Sequence, residues 1–204
     1  MTQPTSSDYT ATSPPTSAQA QFAESVERAR LGDPDAFRYL FDSYYGPICT
    51  YLAHFMRDTE IGHDLAQETF LRAWKGLQKM QGEIAFRPWL YRIATNVAHS
   101  HLQRERLIGW LPWFDYATSP KAITSTALEP EARFEEQETI AEILATLPPQ
   151  CRSCLLLQHI AGFSQREIAS ILHISEKSVS AYVSRGREQF RCTYRQWKEE
   201  VPHS

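Results

Sequence analysis

Apolar side chains in this 204-residue chain recur at intervals of three and four, and almost nowhere do they alternate with polar ones. That spacing belongs to helices with one buried face and does not suit half-buried strands, so the fold class is expected to be all-α. Asp33-Pro34 can open a helix, because the carboxylate caps free amides and proline is tolerated in the first turn. Phe37, Leu40, Phe41, Tyr44 and Ile48 then form one stripe. Gly46-Pro47 is expected to bend or interrupt it. A second helix is expected from about His63 to Lys79, with Leu65, Phe70, Trp74 and Leu77 inward. After a break at Gly82, a third runs from Arg87 to about Arg106.

Between Ile108 and Pro130 the period dissolves into GWLPWFDYATSPKAITSTALEP, which is rich in turn formers. Helical spacing resumes at Phe134 with Ile140, Ile143, Leu144 and Leu147. Pro148-Pro149 stops that helix and opens another, which carries Cys154, Leu155, Leu157 and Ile160. The expected organisation is a disordered tail (1–22), a helical domain (23–106), a flexible linker (107–131) and a second helical domain (132–198). The linker cluster WLPWF is expected to pack against a neighbouring domain of the same chain. The first residues lack both the basic start and the apolar run of a secretory signal, and no apolar run approaches the roughly 20 residues that span a bilayer. A cytoplasmic location without stable membrane insertion is the expectation.

The formal net charge of -3 hides a partition. From Cys151 to Lys198, the bases Arg152, Arg166, Lys177, Arg185, Arg187, Arg191, Arg195 and Lys198 face only Glu167, Glu176 and Glu188. Between Leu107 and Gln150 acids dominate, so the connector masks a cationic segment.

Within that segment, FSQREIASILHISEKSVSAYVSRGREQ (163–189) holds two short helical patterns. Ser164 and Glu167 form a capping box at the start of the first, which ends near His173. Ser175 caps the second, whose Val179, Val183, Gly186 and Phe190 share one side. Lys177, Ser180, Ser184, Arg187 and Arg191 share the other. Two helices joined this tightly, the second with a basic outer face, make a helix-turn-helix suited to a duplex major groove.

A second constellation lies in DLAQETFLRAWKGLQKMQGEIAFRPWLYRIATNVAHSHLQRER (64–106). Asp64, Gln67, Glu68 and Leu71 share one side of a helix, a patch suited to gripping another protein's helix. Arg92, Asn96, His99, Gln103 and Arg106 share the side of the third helix opposite its apolar stripe. Such a side can follow a phosphate backbone while an amide reads base edges.

The segments DLAQETFLRAW, FRPWLYRIATN and GFSQREIASILHISEKSVSAYVSRGR, in this order and spacing, resemble the signatures of bacterial sigma factors of the extracytoplasmic-function group. That resemblance implies region 2 in the first domain and region 4 in the second, and no enzymatic activity. Asp64, Gln67, Glu68 and Leu71 would hold the clamp helices of the largest subunit of the RNA polymerase core, whose flap is a further expected contact. The loop from Gly82 to Pro88, with Phe86, Arg87, Arg92 and Asn96, would capture unstacked bases of the minus-ten promoter element. Lys177, Ser180, Ser184, Arg185 and Arg187 would meet the minus-thirty-five element. An anti-sigma factor is a further partner that the resemblance implies. The chain departs from the family pattern where His173 replaces the usual turn glycine, where Ser180 and Tyr182 replace frequent bases, and where Ser100 and Gln103 replace an acid and an arginine.

Two other readings compete. A free-standing helix-turn-helix regulator binding operator DNA would have no need of the 64–106 segment. A thiol or metal sensor would use Cys151 and Cys154, but that CxxC lies on a helix without a neighbouring strand and lacks further ligands at motif spacing. No cofactor and no metal are predicted. Trp74 and Trp89 are expected to pack in the core.

Overall fold

The computed structural model describes residues 17–108 and 131–200, and these are helices joined by short turns, with no strand among the described residues. The first domain comprises α1 (Ser17–Arg30), α2 (Pro34–Met56), α3 (Thr59–Leu77) and α4 (Phe86–Ile108). The second comprises α5 (Glu131–Thr146), α6 (Pro149–His159), α7 (Gln165–Leu172) and α8 (Glu176–Glu200). The WLPWF cluster lies outside the described residues.

Asp33 starts α2 as expected, its Oδ1 accepting from the amides of Asp35 (2.9 Å) and Ala36 (3.2 Å). Those amide donors, with Arg28 beside it, hold the Asp33 carboxyl below its usual range. The expected interruption at Gly46-Pro47 does not occur, for α2 runs through Pro47 unbroken. A proline inside a helix costs about 3 kcal/mol. Here its ring faces solvent, while Ile48, Tyr51, Leu52 and Phe55 beyond it are fully buried. Each such side chain contributes about 1.5–3 kcal/mol, so burial outweighs the missing hydrogen bond.

Two helix starts differ from expectation. Arg57 turns the chain in the left-handed region (φ 59°), and Asp58 then caps α3 by accepting from the amide of Ile61 at 2.9 Å. The helix therefore begins four residues before His63. Residues 17–22, assigned to the tail, are the first part of α1. Phe22 on α1 sits against Tyr44 and Phe86, with ring centroids 5.8 and 6.0 Å away. α2 ties to α4 through the buried hydroxyls of Tyr51 and Thr95, 2.8 Å apart.

In the second domain, α6 is buried from Cys151 to Leu157 without a break. It is covered on one side by α7 and α8 and on another by α2. Gly186 of α8 allows the tight approach, since a Cβ there would stand 2.9 Å from Leu155 Cδ1 and 3.3 Å from Cys151 Cβ.

The two domains pack on one another, so the apolar core runs from one into the other. Arg152, counted in the sequence among surface cations, is instead buried at the join. It donates to the carbonyls of Phe55 (2.8 Å), Leu147 (3.3 Å) and Ala145, with its guanidinium 5.3 Å from the Phe55 ring. The three carbonyls offset much of the cost of burying this cation, while its Nε finds no partner among the described residues. Burial lowers its pKa to about 10, so it stays charged at neutral pH. Arg57 pairs across the same join with Glu142, and His99 Nε2 lies 2.9 Å from Ser153 Oγ.

Candidate functional site

On α3, Asp64 and Gln67 are exposed, Glu68 is half-buried and Leu71 is 62% exposed although apolar. Gln67, Leu71 and Trp74 follow the helical repeat and line a groove of about 420 Å³, whose other wall is Pro34, Phe37 and Phe41 of α2. Trp74 is thus half-buried on a groove wall rather than sealed in the core, while its ring packs 4.8 Å from Phe37. Glu68 does not stand alone, since Arg72 lies 2.5 Å and Arg104 of α4 4.0 Å from its carboxylate. The patch combines an apolar slot with a carboxylate-rich rim, which suits an amphipathic helix from another protein.

The α4 residues divide. Phe86, expected to meet bases, is 2% exposed and packs against Phe22, Tyr44 and Trp89. Phe22 of α1, a residue assigned to the tail, covers it, so Phe86 is a core residue. Asn96 is exposed. Arg87 reaches the second domain, donating to the carbonyl of Ala161 with its guanidinium 4.1 Å from the Phe163 ring. Arg92 Nη1 donates to His173 Nε2 at 2.5 Å. His99, grouped with the outer side of α4, is half-buried against Ser153 and the Phe55 ring, and that burial lowers its pKa.

The α7–α8 unit is built as its sequence dictates. Ser164 and Glu167 satisfy each other's backbone, with Ser164 Oγ accepting from the Glu167 amide at 3.3 Å and the Glu167 carboxylate accepting from the Ser164 amide at 2.8 Å. The Ser164 hydroxyl, which donates to the Glu167 carboxylate at 2.7 Å, and then the Ser164 amide lower the Glu167 pKa. His173 takes the left-handed turn (φ 54°), a conformation that histidine reaches more readily than most residues. Ser175 Oγ then accepts from the amide of Ser178 at 3.0 Å, and α8 begins. Val179 and Val183 are buried, and Lys177, Ser180, Ser184, Arg185 and Arg187 are all exposed. Gln165, Ser184, Arg187 and Arg191 border a polar cleft of about 250 Å³ beside the start of α7. Arg187 Nη2 lies 3.2 Å from His159 Nε2 and remains exposed.

The family profiles of sigma-70 region 2 and sigma-70 region 4 match residues 40–108 and 137–190. The RNA polymerase sigma-H factor of Pseudomonas aeruginosa is 32% identical over 184 residues, which span 83% of this chain and 92% of that protein. The chain belongs to the sigma-70 family. The ECF RNA polymerase sigma factor SigW of Bacillus subtilis is 28% identical over 173 residues, 81% of this chain and 92% of that one. Among solved structures, CnrH bound to the cytosolic domain of CnrY shares the fold with a TM-score of 0.66 at 23% identity, covering 86% of this chain and 98% of its own. RpoE bound to the anti-sigma factor NepR, from Bartonella quintana, gives 0.59 at 20% identity, covering 76% and 94%.

Within this sigma-70 chain, α1 precedes the region 2 match and α8 continues beyond the region 4 match, to Glu200. The sequence reading missed α1, although Phe22, Val26 and Ala29 already show the three-and-four spacing. It also missed the role of Arg152, which had no local signal. The CxxC thiols are buried on α6, and burial pushes Cys154 up to about 12 and Cys151 upward, so neither is readily a thiolate. No helix among the described residues is long and apolar enough to cross a membrane.

Proposed function

We propose that this sigma-70 chain is an extracytoplasmic-function type specificity subunit that divides its work between three surfaces. The α3 patch of Asp64, Gln67, Glu68 and Leu71, with the groove beside it, docks the clamp helices of the polymerase's largest subunit. Arg87, Arg92 and Asn96 of α4 hold a melted promoter strand. There, phosphate pairing and stacking contribute about 1–3 kcal/mol per stacked base without needing a duplex. Lys177, Ser180, Ser184, Arg185 and Arg187 of α8 enter the major groove of the upstream element. The protein orients and opens DNA for the polymerase and makes or breaks no bond itself. It works where the polymerase works, in the cytoplasm.

The observation that carries this reading is the outer face of α8. All five of those residues are exposed behind a properly capped turn, while the apolar stripe of the same helix is sealed against α6. Region 2 residues on α3 distinguish the chain from a free-standing operator-binding regulator, which has no use for an exposed Leu71 beside an apolar slot.

Run-off transcription with purified core polymerase over a promoter library tests the reading. The expected result is initiation from a subset of promoters that requires this chain. Core polymerase that neither binds the chain nor initiates with it, together with tight binding of the chain alone to duplex, would transfer the assignment to the operator-binding regulator. Glu68→Lys is expected to lower affinity for core polymerase several-fold, and Glu68→Gln, which removes the ion pairs with Arg72 and Arg104 without adding repulsion, is expected to cost the fold only about 0–1 kcal/mol.

A further inference from the structure

We propose that α1 positions the loop of residues 78–85, between α3 and α4, and that Arg30 is the residue through which it acts on base selection. The inference rests on the reading that the first domain holds a melted promoter strand beside this loop. α1 precedes the region 2 match at 40–108, so that match assigns it no task.

The loop has little of its own to hold it. After α3 ends at Leu77, the Lys79 amide donates to the Gly76 carbonyl and the Met80 amide to the Leu77 carbonyl, both at 3.1 Å. From Gln81 to Ile84 no backbone amide makes a hydrogen bond among the described residues. Gly82, at the middle of that span, turns with φ 80° in open space. What fixes the loop comes from α1 at both ends. At its start, Arg30 Nη1 donates to the Met80 carbonyl at 3.4 Å, the one hydrogen bond among the described residues from this loop to an element other than the two it connects. Just past its end, Phe86 packs against Phe22 of α1, with ring centroids 6.0 Å apart. Phe22 and Arg30 are eight residues apart on one helix, about 12 Å along its axis, so α1 brackets the span from Met80 to Phe86.

The Arg30 donor is aimed rather than incidental. Glu27 accepts from Arg30 Nε at 2.9 Å and from Nη2 at 2.7 Å, which holds the guanidinium as a fork and leaves Nη1 turned to the carbonyl. The charge also suits the carbonyl-rich end of α3. Met80 and Glu83 of the loop, with Trp89 and Arg92 of α4, stand on the wall of a cavity of about 200 Å³, so the place of Met80 helps set the shape that a base would meet. A loop released at Met80 is in place for only a fraction of the time, and apparent affinity for the preferred base falls by that fraction. Phosphate contacts made by α4 do not depend on the loop. Losing the tether therefore lowers base preference and leaves sequence-independent binding as it was.

The test uses the full chain bound to core polymerase and a pool of single-stranded DNA, about 12 nucleotides long and randomised throughout. Bound strands are sequenced, and affinity for the unselected pool is measured separately. The wild-type chain is expected to enrich particular bases. Arg30→Met keeps the length of the side chain without its donors, and is expected to lower that enrichment about three- to ten-fold with pool affinity unchanged. Arg30→Lys, which still brings a cationic donor to Met80, should retain most of it. Glu27→Ala, at an exposed position, frees the guanidinium without removing it and should give an intermediate loss, which carries the test alone if Arg30→Met does not fold. Enrichment unchanged in both Arg30→Met and Glu27→Ala overturns the positioning role. So does a fall in pool affinity with enrichment intact, which would make Arg30 a direct phosphate contact. Gln81→Ala combined with Glu83→Ala changes what the loop presents without touching either anchor, and it separates the two ideas. If that pair leaves the enrichment unchanged, or the wild-type chain enriches no base, the loop reads no sequence and the positioning falls with it. If the pair flattens the enrichment and Arg30→Met does not, the loop keeps its role and α1 has no part in it.

Discussion

Gly62 lies where α3 crosses α2 most closely, and replacing it with alanine probes that crossing. A Cβ built there would stand 2.8 Å from both Cα and N of Ala53 and 2.9 Å from its Cβ. Two of these three atoms are backbone, so no rotamer change relieves the contact and the helices must separate. Carbon atoms in comfortable contact sit about 3.5–4.0 Å apart. The axes must therefore move by roughly 0.7 Å or more, and Leu52, Leu65 and Ala66, buried beside the crossing, lose contact as they do. Overpacking costs about 1–3 kcal/mol, and a clash with backbone that no rotamer relieves belongs in the upper part of that range, about 2–3 kcal/mol, against which alanine regains about 1 kcal/mol of helix propensity. The net expectation is a loss of about 1–2 kcal/mol, a fall in Tm of roughly 4–15 °C for a domain of this size. Gly76→Ala is the internal control. It makes the same chemical change inside the same helix, but its Cβ would meet only the rim of the Trp89 ring, at 3.1 Å, and a ring can shift. Thermal and urea unfolding followed by circular dichroism would rank the two. If Gly62→Ala melts at or above wild type, the packing that orients the Asp64 patch is not the one described.

Three further outcomes follow from other parts of the molecule. Ser164→Ala removes one half of the capping box and is expected to destabilise the second domain by about 1 kcal/mol in denaturant titration, with Ser164→Asp restoring most of it. Arg187→Ala is expected to weaken duplex promoter binding and to reduce the slope of log affinity against log salt by about one, and an unchanged slope would rule out a phosphate contact there. Acidification tests the join between the domains. Burial lowers the pKa of His54 and of His99, with Arg152 acting in the same direction on His99, so the folded chain resists protons that the unfolded chain accepts. Above about pH 6.5 the two states bind alike. As pH falls from about 6.5 toward 5, stability is expected to drop by up to about 1.4 kcal/mol per pH unit for each group, before the carboxylates of Asp33 and Glu167 begin to matter. His99→Gln should flatten that slope in urea titrations.

The parts of the fold that were legible in the sequence are those with local causes. Asp33, Ser164 with Glu167, and Ser175 each name a helix start because a side-chain oxygen within three residues satisfies an amide that has no other partner, and each does so in the structure. The outer face of α8 was legible for a similar reason. Its apolar stripe must bury somewhere, which leaves Lys177, Ser180, Ser184 and Arg187 on the far side whatever the stripe buries against.

What was not legible depends on partners distant in sequence. Pro47 reads as a break because its cost is local, whereas the burial of Ile48, Tyr51 and Leu52 that overrides it comes from other helices. Phe86 sits at a loop edge beside basic residues, so its own neighbourhood advertises exposure. Phe22 of α1 and Tyr44 of α2, both more than forty residues earlier, remove it from solvent. Arg152 carries the same lesson with opposite sign, for a cation in a basic segment is indistinguishable in sequence from its exposed neighbours until the Phe55 carbonyl, from the other domain, claims it. Both errors concern residues whose environment is supplied across a domain or helix boundary. Arg87 and Arg92 read in sequence as cations on an outer helix face, yet they meet Ala161 and His173, which only the packing of the second domain brings within reach. In this chain, local sequence specifies which chemistry each helix offers, and the contact between domains specifies which of those groups meet internal partners.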